Sequence, residues 1–288
     1  MKTDLRHLSS LQQKQLLSLI PVIVKTVRPE KVILYGMYGT HESIRGGYDL
    51  LVVTQRKEHR HDHEIQDMIE NKCRMHADIT ILVHDIDHVN ERLAEGQYFF
   101  SLLGREGVLL YDAGNVPLAP AATPDLVGIR DTAQKDFERW NRRARAFFNS
   151  ALFNQQNKEY RVAAFLLHQA AEQLYQAILL AFMGYKPCTH NLDKLRRYTH
   201  RFSMELAFLF PRNEASEERL FKLLLQSYVD ARYKEEYHIT ESELQQLVQR
   251  IDRLFLIARR ICHNRFISLE KMAAGQSFRR GIAGEGAA

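Results

Sequence analysis

Two glycines and two aspartates in the N-terminal part of the chain have types and spacing suited to phosphate and metal chemistry. Gly36 and Gly39 follow an apolar run, while Asp49 and Asp78 each adjoin another. Because such runs are typical of buried strands, we expect both aspartates to lie at strand ends. Carboxylates from neighbouring strands supply the oxygen ligands that Mg²⁺ takes, and a glycine turn offers backbone N–H groups to phosphate. A plain buried strand with one acid at its end explains the same pattern without chemistry.

Residues 35–54, YGMYGTHESIRGGYDLLVVT, resemble the signature of the polymerase-beta-like nucleotidyltransferases, in particular the minimal nucleotidyltransferases of prokaryotes. That family has a strand, Gly-Ser, a loop and Asp-x-Asp opening a second strand, with a third acid on a neighbouring strand. Asp49 matches the second aspartate of the pattern, and Asp78 matches the third acid. Met37 stands in place of the serine, and Gly47 stands in place of the first aspartate.

The resemblance implies a nucleotidyltransferase fold with a damaged site. Gly36 and Gly39 would contact a nucleoside triphosphate, and Asp49 and Asp78 would hold Mg²⁺. Because the two departures remove a hydroxyl and a metal ligand, we expect both cofactors to bind weakly. The alternative is an active Mg²⁺-dependent nucleotidyltransferase in which Glu42, in the loop, substitutes for the missing acid.

The elements around these residues alternate between strands and helices. Beyond the Asp49 strand, we expect a helix at 64–75, a strand at 78–83, a helix at 85–104 and a strand at 107–112. Such alternation predicts an α+β domain over residues 1–113, with a mixed sheet and flanking helices.

The rest of the chain is predicted to be all helical. Residues 114–124 contain three prolines and are interpreted as a linker. Five helices with apolar residues at helical spacing predict an antiparallel bundle over residues 125–268. Thr240 and Glu243 have the spacing of a capping box, and Gly184 suits a helix C-terminus. The glycine- and alanine-rich residues 269–288 are predicted to be disordered.

The bundle resembles a HEPN domain in three segments. Residues 168–172, HQAAE, are similar to the family's most regular helix. Residues 184–192 are similar to its Thr-His-x-Leu turn, and residues 230–233, DARY, then lead to His238. Nucleotidyltransferase and HEPN domains recur together, either fused or as toxin–antitoxin neighbours, so the pairing is more specific than either motif alone.

The HEPN resemblance implies a metal-independent ribonuclease with Arg232 and His238 as its catalytic pair. A histidine can take or give the proton when an RNA 2′-hydroxyl attacks, and an arginine can brace the phosphate. Glu235 and Glu236 lie between them and would repel a phosphate if they faced it. The alternative is a polar loop in which Arg232 complements the dipole at a helix C-terminus.

In the toxin–antitoxin relatives, the transferase adenylylates a tyrosine two residues after the motif histidine. Thr240 occupies that position here. A hydroxyl in a capping box is a poor acceptor, so we expect no AMP there and regard Tyr237 as the fallback acceptor.

Two polar clusters have simpler explanations. His168 and Glu172 lie one helical turn apart and would line a nucleotide pocket or, more simply, form a satisfied pair inside a bundle. His59, His61 and His63 alternate with charged residues and have no second cluster to join them, so we interpret them as a solvated loop rather than a zinc site.

HEPN ribonucleases pair two bundles so that two copies of the motif face one cleft. The resemblance therefore implies a homodimer through the helical domain. Ala163, Ala164, Ala170 and Ala171 would permit close approach of a partner helix. The alternative is that these alanines pack inside one bundle.

Composition sets the broad class. The chain carries a formal net charge of +5, compatible with a nucleotide or RNA partner. Three widely spaced cysteines form no disulfide framework, and no apolar segment approaches a membrane span, so we expect a cytoplasmic protein that does not bind a membrane.

Taken together, the residues and the resemblances predict a nucleotide-binding or RNA-directed protein of the nucleotidyltransferase–HEPN type. An active nucleotidyltransferase and a non-catalytic interaction protein are the alternatives.

Overall fold

The structure is a computed structural model. It describes residues 1, 5, 8–38, 47–56, 58–73, 76–187, 189–211 and 214–285, and of these it describes only the backbone at 37–38 and 276–285. The chain divides into two compact units, Met1–Pro124 and Asp125–Ala288.

The first unit is built on a small mixed sheet. Its strands are β1 (Lys31–Tyr38), β2 (Gly47–Thr54), β3 (Asp78–Asp85) and β4 (Val108–Asp112), in the order β3-β2-β1-β4. β1 is antiparallel to both its neighbours, whereas β2 and β3 are parallel. All residues of β2 are buried, in agreement with the almost continuous apolar run in its sequence. The predicted α+β domain with a mixed sheet is thus confirmed.

Helices cover this sheet and divide its residues between two faces. They are α1 (Ser10–Val27), α2 (Asp62–Cys73), α3 (Ile86–Ala94) and α4 (Tyr98–Glu106). Tyr48, Leu50 and Val52 pack into one core with α1 and α2. Because side chains alternate along a strand, Asp49 faces the other side of the sheet. The single helix predicted over 85–104 is wrong, since Gly96 has a φ of 72° and separates α3 from α4.

The segment predicted as a linker is hydrogen-bonded to the first unit. Lys31 is buried, and its Nζ lies 2.6 Å from Asp112 Oδ1 at the end of β4. The carboxyl of the neighbouring Glu30, also buried, accepts hydrogen bonds from the backbone N–H groups of Asn115 (3.1 Å) and Val116 (2.9 Å). These bonds tie the start of the proline-rich segment to the first residues of β1.

The second unit is helical. It contains α5 (Leu126–Gln156), α6 (Tyr160–Met183), α7 (Leu192–Thr199), a 3₁₀ turn (His200–Phe202), α8 (Met204–Phe208), α9 (Ala215–Ser227), α10 (Asp230–Tyr233) and α11 (Glu241–Glu285). The described residues thus form more helices than the five predicted, because short helices fill the connections. α6 is buried along most of its length, including the polar side chains of His168, Glu172 and Gln176. Gly184 ends it with a φ of 64°, as predicted.

The last helix is longer than predicted. α11 runs to Glu285, so helix continues where disorder from residue 269 was expected. Leu269 is fully buried and extends the apolar face of α11. At the start of α11 the predicted capping box is present, because Thr240 Oγ1 accepts from Glu243 N–H while the Glu243 carboxyl accepts from Thr240 N–H.

Candidate functional site

The strand register of the first unit brings the two predicted metal ligands to one face of the sheet. Gly47 pairs with Asp78, and Asp49 pairs with Thr80 on one side and with Gly36 on the other. Residues two apart on a strand share a face, so Asp49 and Asp78 are diagonal neighbours on adjacent strands. Gly47 lies on that same face, where the resemblance expects a third carboxylate.

The described residues fit a magnesium site only in part. Asp49 is 1% exposed, and the Thr80 hydroxyl beside it is buried with no hydrogen-bond partner in the described chain. Among the described residues, no three His, Cys, Asp or Glu side chains are grouped as metal ligands. Gly39 and Glu42 lie outside the described residues, as does the side chain of Met37. Two carboxyl groups would hold a divalent cation less firmly than three.

Arg232 is anchored on the surface of the second unit. It lies in the last turn of α10, as expected for a cation that complements the helix dipole. Its Nε donates to the Tyr228 carbonyl at 2.6 Å, and its guanidinium lies over the rings of Tyr228 (4.7 Å) and Phe165 (5.1 Å). The faces of these aromatic rings therefore hold the guanidinium group in place, while the Arg232 side chain stays exposed.

His238 follows in the irregular connection before α11. The two residues that flank it, Tyr237 and Ile239, are buried, whereas His238 is exposed. This alternation of burial places the His238 side chain outside the core. In the described part of the chain, no hydrogen bond joins His238 to Arg232, so the structure does not bring this predicted pair into direct contact. Glu235 and Glu236 are also exposed.

The structure instead assembles a polar cluster around His168 and Glu172, the two residues of α6 that the sequence predicted to pair. His190 Nδ1 lies 2.9 Å from Glu172 Oε1, and Gln176 Nε2 donates to the same oxygen at 3.3 Å. Glu172 Oε2 is buried with no hydrogen-bond partner in the described chain. The His190 side chain is 70% exposed, against 3% for Glu172. His190 therefore connects a buried carboxyl group to the surface.

One aromatic ring joins this cluster to Arg232. The Tyr228 ring stacks on His168 with centroids 5.0 Å apart, and it lies nearly parallel to His190 at 6.2 Å. Burial, followed by the nearby charges of Arg232 and His190, lowers the pKa of His168 to about 3. His168 is therefore neutral at physiological pH and supports the Tyr228 ring rather than exchanging protons.

The described chain gives the other candidates simpler roles. His61 and His63 stack on each other near the start of α2, and no metal-ligand group forms there among the described residues. Ala163 and Ala170 are fully buried within the helical unit, as are their neighbours Ala164 and Ala171. These alanines pack inside one bundle, so they offer no surface to a partner helix.

Tyr237 is unsuited to be the fallback acceptor. Its hydroxyl is buried and donates to the Leu223 carbonyl at 3.1 Å. Burial, with the nearby charges of Glu243 and Asp230, raises the pKa of this phenol. A buried, neutral and engaged hydroxyl is a poor nucleophile.

Residues 137–261 match the family model of the HEPN domain, which assigns this stretch of the helical unit to that class. It contains Glu172, His190, Tyr228 and Arg232, and also His238. The crystal structure of an archaeal HEPN homologue is similar over 44% of this chain and 97% of that chain, at 18% identity and a TM-score of 0.32. No curated protein matches the sequence.

The HEPN part of the sequence prediction is confirmed, and the nucleotidyltransferase part stays a prediction. No helix in the described residues is long and apolar enough to cross a membrane. Tyr228 was missed by sequence reasoning, although its place just before the DARY segment and its aromatic character were visible signals.

Proposed function

We propose that this protein acts on RNA, and that its HEPN domain cleaves RNA without a metal ion. The observation that carries the proposal is the surface cluster within residues 137–261, in which a tethered arginine, a carboxyl–histidine pair and a stacked tyrosine meet. HEPN domains are in general RNA-related or nucleotide-binding, which agrees with this chemistry.

The chemistry needs a cation for the phosphate and a group that moves a proton. Arg232 supplies the cation, because its guanidinium is held by aromatic rings at the surface and presents N–H donors to phosphate oxygens. His238, exposed in the connection between α10 and α11, supplies a group for proton transfer. A homodimer would bring two copies of this motif to one cleft and double its positive charge.

The second candidate function is Mg²⁺-dependent binding or transfer of a nucleotide by the first unit. The register that places Asp49 and Asp78 on one face of adjacent strands favours it. We expect transfer to be weak, because Gly47 leaves that face without a third carboxylate. The combined protein is then of the nucleotidyltransferase–HEPN type, with a degenerate transferase site.

A single pair of assays tests these functions. The protein is incubated with labelled single-stranded RNA and separately with labelled ATP, each with Mg²⁺ and with EDTA. RNA cleavage that persists in EDTA supports the ribonuclease, and cleavage only with Mg²⁺ would contradict it. Strong Mg²⁺-dependent incorporation from ATP would favour the transferase. If neither reaction occurs, the protein is a non-catalytic interaction protein and the proposal is wrong.

A further inference from the structure

We propose that Glu172 and His190 form an acid–base dyad that removes the proton from the 2′-hydroxyl of a single-stranded RNA held at Arg232. This inference rests on the proposed ribonuclease function and adds to it a catalytic histidine outside the Arg232–His238 motif.

The hydrogen bond between Glu172 and His190 sets the histidine tautomer. A carboxylate oxygen accepts, so His190 Nδ1–H is the donor across the 2.9 Å contact. The other ring nitrogen, Nε2, then carries a lone pair and is free to accept a proton. This is the arrangement in which a buried carboxyl group orients a catalytic histidine.

Burial makes the orientation rigid. Glu172 is 3% exposed and sits in the middle of α6, held by Gln176 at 3.3 Å. His190, by contrast, precedes α7 on an exposed turn whose Asn191 side chain caps that helix. The dyad thus pairs an immobile buried acceptor with a histidine that substrate can reach.

Tyr228 places the phosphate donor beside the dyad. Its ring lies nearly parallel to that of His190, with an interplanar angle of 9°, and the Arg232 guanidinium lies 4.7 Å from the same ring. The proton acceptor and the cation are therefore both positioned by one side chain. The charged groups beside this ring stack are Glu172, hydrogen-bonded to His190, and Arg232, over the Tyr228 ring, while burial keeps His168 neutral.

An exposed aromatic ring points to single-stranded RNA as the substrate. Tyr233 is 74% exposed, and the Arg232 guanidinium lies 5.0 Å from its ring. Unpaired bases stack on such rings, whereas the bases of a duplex are occupied with each other. A base on Tyr233 would bring its sugar and phosphate to Arg232.

The reaction is a transesterification that needs no co-reactant. His190 Nε2 accepts the 2′-hydroxyl proton as the 2′-oxygen forms a bond to phosphorus. The bond from phosphorus to the 5′-oxygen breaks, and that oxygen leaves with a proton from His238. Arg232 stabilises the charge on the phosphoryl oxygens. The products are a 2′,3′-cyclic phosphate and a 5′-hydroxyl, and solvent then restores both histidines.

The test compares His190→Gln and Glu172→Gln with the control His263→Gln, which changes an exposed histidine on α11. Single-turnover cleavage of a single-stranded RNA oligonucleotide is measured in EDTA between pH 5 and 9, and RNA affinity is measured by fluorescence anisotropy. We expect His190→Gln to lose about 100-fold or more in cleavage rate, with little change in RNA affinity. The control His263→Gln should change little in either measurement. Glu172→Gln should lose about 10-fold to 100-fold.

A second measurement does not depend on activity. Nitrogen NMR of the histidine rings reports the tautomer, and His190 should carry its proton on Nδ1 in the unmodified protein and lose this preference in Glu172→Gln. A His190 ring protonated on Nε2 in the unmodified protein would overturn the dyad.

The outcomes separate the dyad from the proposed function. If the unmodified protein cleaves RNA and His190→Gln cleaves within about threefold of it, the dyad is wrong and the ribonuclease stands. If His190→Gln loses affinity instead of rate, the histidine binds RNA and does not transfer the proton. If the unmodified protein cleaves no RNA, the proposed function fails, and the catalytic role fails with it whatever the tautomer.

Discussion

Arg232 makes both a hydrogen bond and a cation–π contact with Tyr228. Its Nε donates to the Tyr228 carbonyl at 2.6 Å, and its guanidinium lies 4.7 Å from the centre of the same residue's ring. The exposed guanidinium of Arg232 is therefore held at the end of α9, next to the only ring that also contacts both His168 and His190 among the described residues.

The first prediction concerns this attachment. We expect Arg232→Ala to reduce RNA cleavage by about 100-fold or more, because the phosphate loses its oriented cation. Arg232→Lys keeps the charge but not the planar, stacked donor, so it should recover only part of the activity. The measurement is the single-turnover rate in EDTA, and Arg139→Ala, an exposed arginine on α5, is the matched control. Unchanged cleavage in Arg232→Ala would leave the motif as a helix connection.

The second prediction concerns nucleotidyl transfer. Gly47 pairs with Asp78 on the face that carries Asp49, so Gly47→Asp should place a further carboxylate among the strand ends. Combined with Met37→Ser, it should strengthen Mg²⁺-dependent binding of ATP, measured by calorimetry with Mg²⁺ and with EDTA. Asp49→Ala in the double variant should remove the gain. Robust transfer by the unmodified protein, abolished by Asp49→Ala, would show that the site is intact.

The third prediction concerns self-modification. Thr240 Oγ1 donates to Glu243 Oε2 at 2.9 Å and accepts from Glu243 N–H at 3.2 Å, so its hydroxyl is engaged in the helix cap. Tyr237 is buried. We therefore expect no AMP on either residue in protein isolated from its native host, as read by intact-mass and peptide mass spectrometry. AMP on Thr240 refutes this prediction.

The fourth prediction concerns stability and pH. Burial raises the pKa of Glu30, but hydrogen bonds from Asn115 and Val116 and the charge of Lys31 outweigh it and lower the pKa below the usual 4.5. A lowered folded pKa means stabilisation that is present above pH 4.5 and lost as the pH falls through the folded value. Glu30→Gln should therefore cost about 1–3 kcal/mol of unfolding free energy at pH 7, and less below pH 4.

Chemical denaturation at pH 7 and pH 3.5 measures this difference. Glu91→Gln, an exposed glutamate on α3, is the control and should have little effect at either pH. A Glu30→Gln cost that stays constant between the two pH values would contradict the ionised, hydrogen-bonded carboxylate.

The fifth prediction concerns the homodimer. Because the alanines of α6 are buried inside the bundle, a dimer has to use another surface. Val162 on α6 and Val229 in the turn before α10 are exposed apolar residues of the helical unit. We expect light scattering at micromolar concentration to show a dimer, and Val229→Glu to weaken it. Val127→Glu, another exposed valine, is the control, and a clean monomer would remove the composite site.

The sequence alone determined the features that depend on neighbouring residues. The apolar run after Asp49 predicted a buried strand, Gly184 predicted a helix end, and Thr240 with Glu243 predicted a capping box. All three are present, because each depends on backbone geometry within a few residues. The HEPN resemblance rested on segments of the same local kind, and the family match at residues 137–261 agrees with it.

Only the tertiary structure decided which distant groups meet. Glu172 and His190 belong to segments that the sequence presented separately, and the packing of α7 against α6 brings them to 2.9 Å. The sequence paired Arg232 with His238 by spacing, whereas in space Arg232 contacts the aromatic residues Tyr228, Phe165 and Tyr233. Local periodicity predicts which side of a helix is apolar, but it does not predict which neighbouring element covers that side. The packing of the whole bundle decides which element covers it. In this protein, that packing brings the exposed His190 into contact with the buried carboxyl group of Glu172.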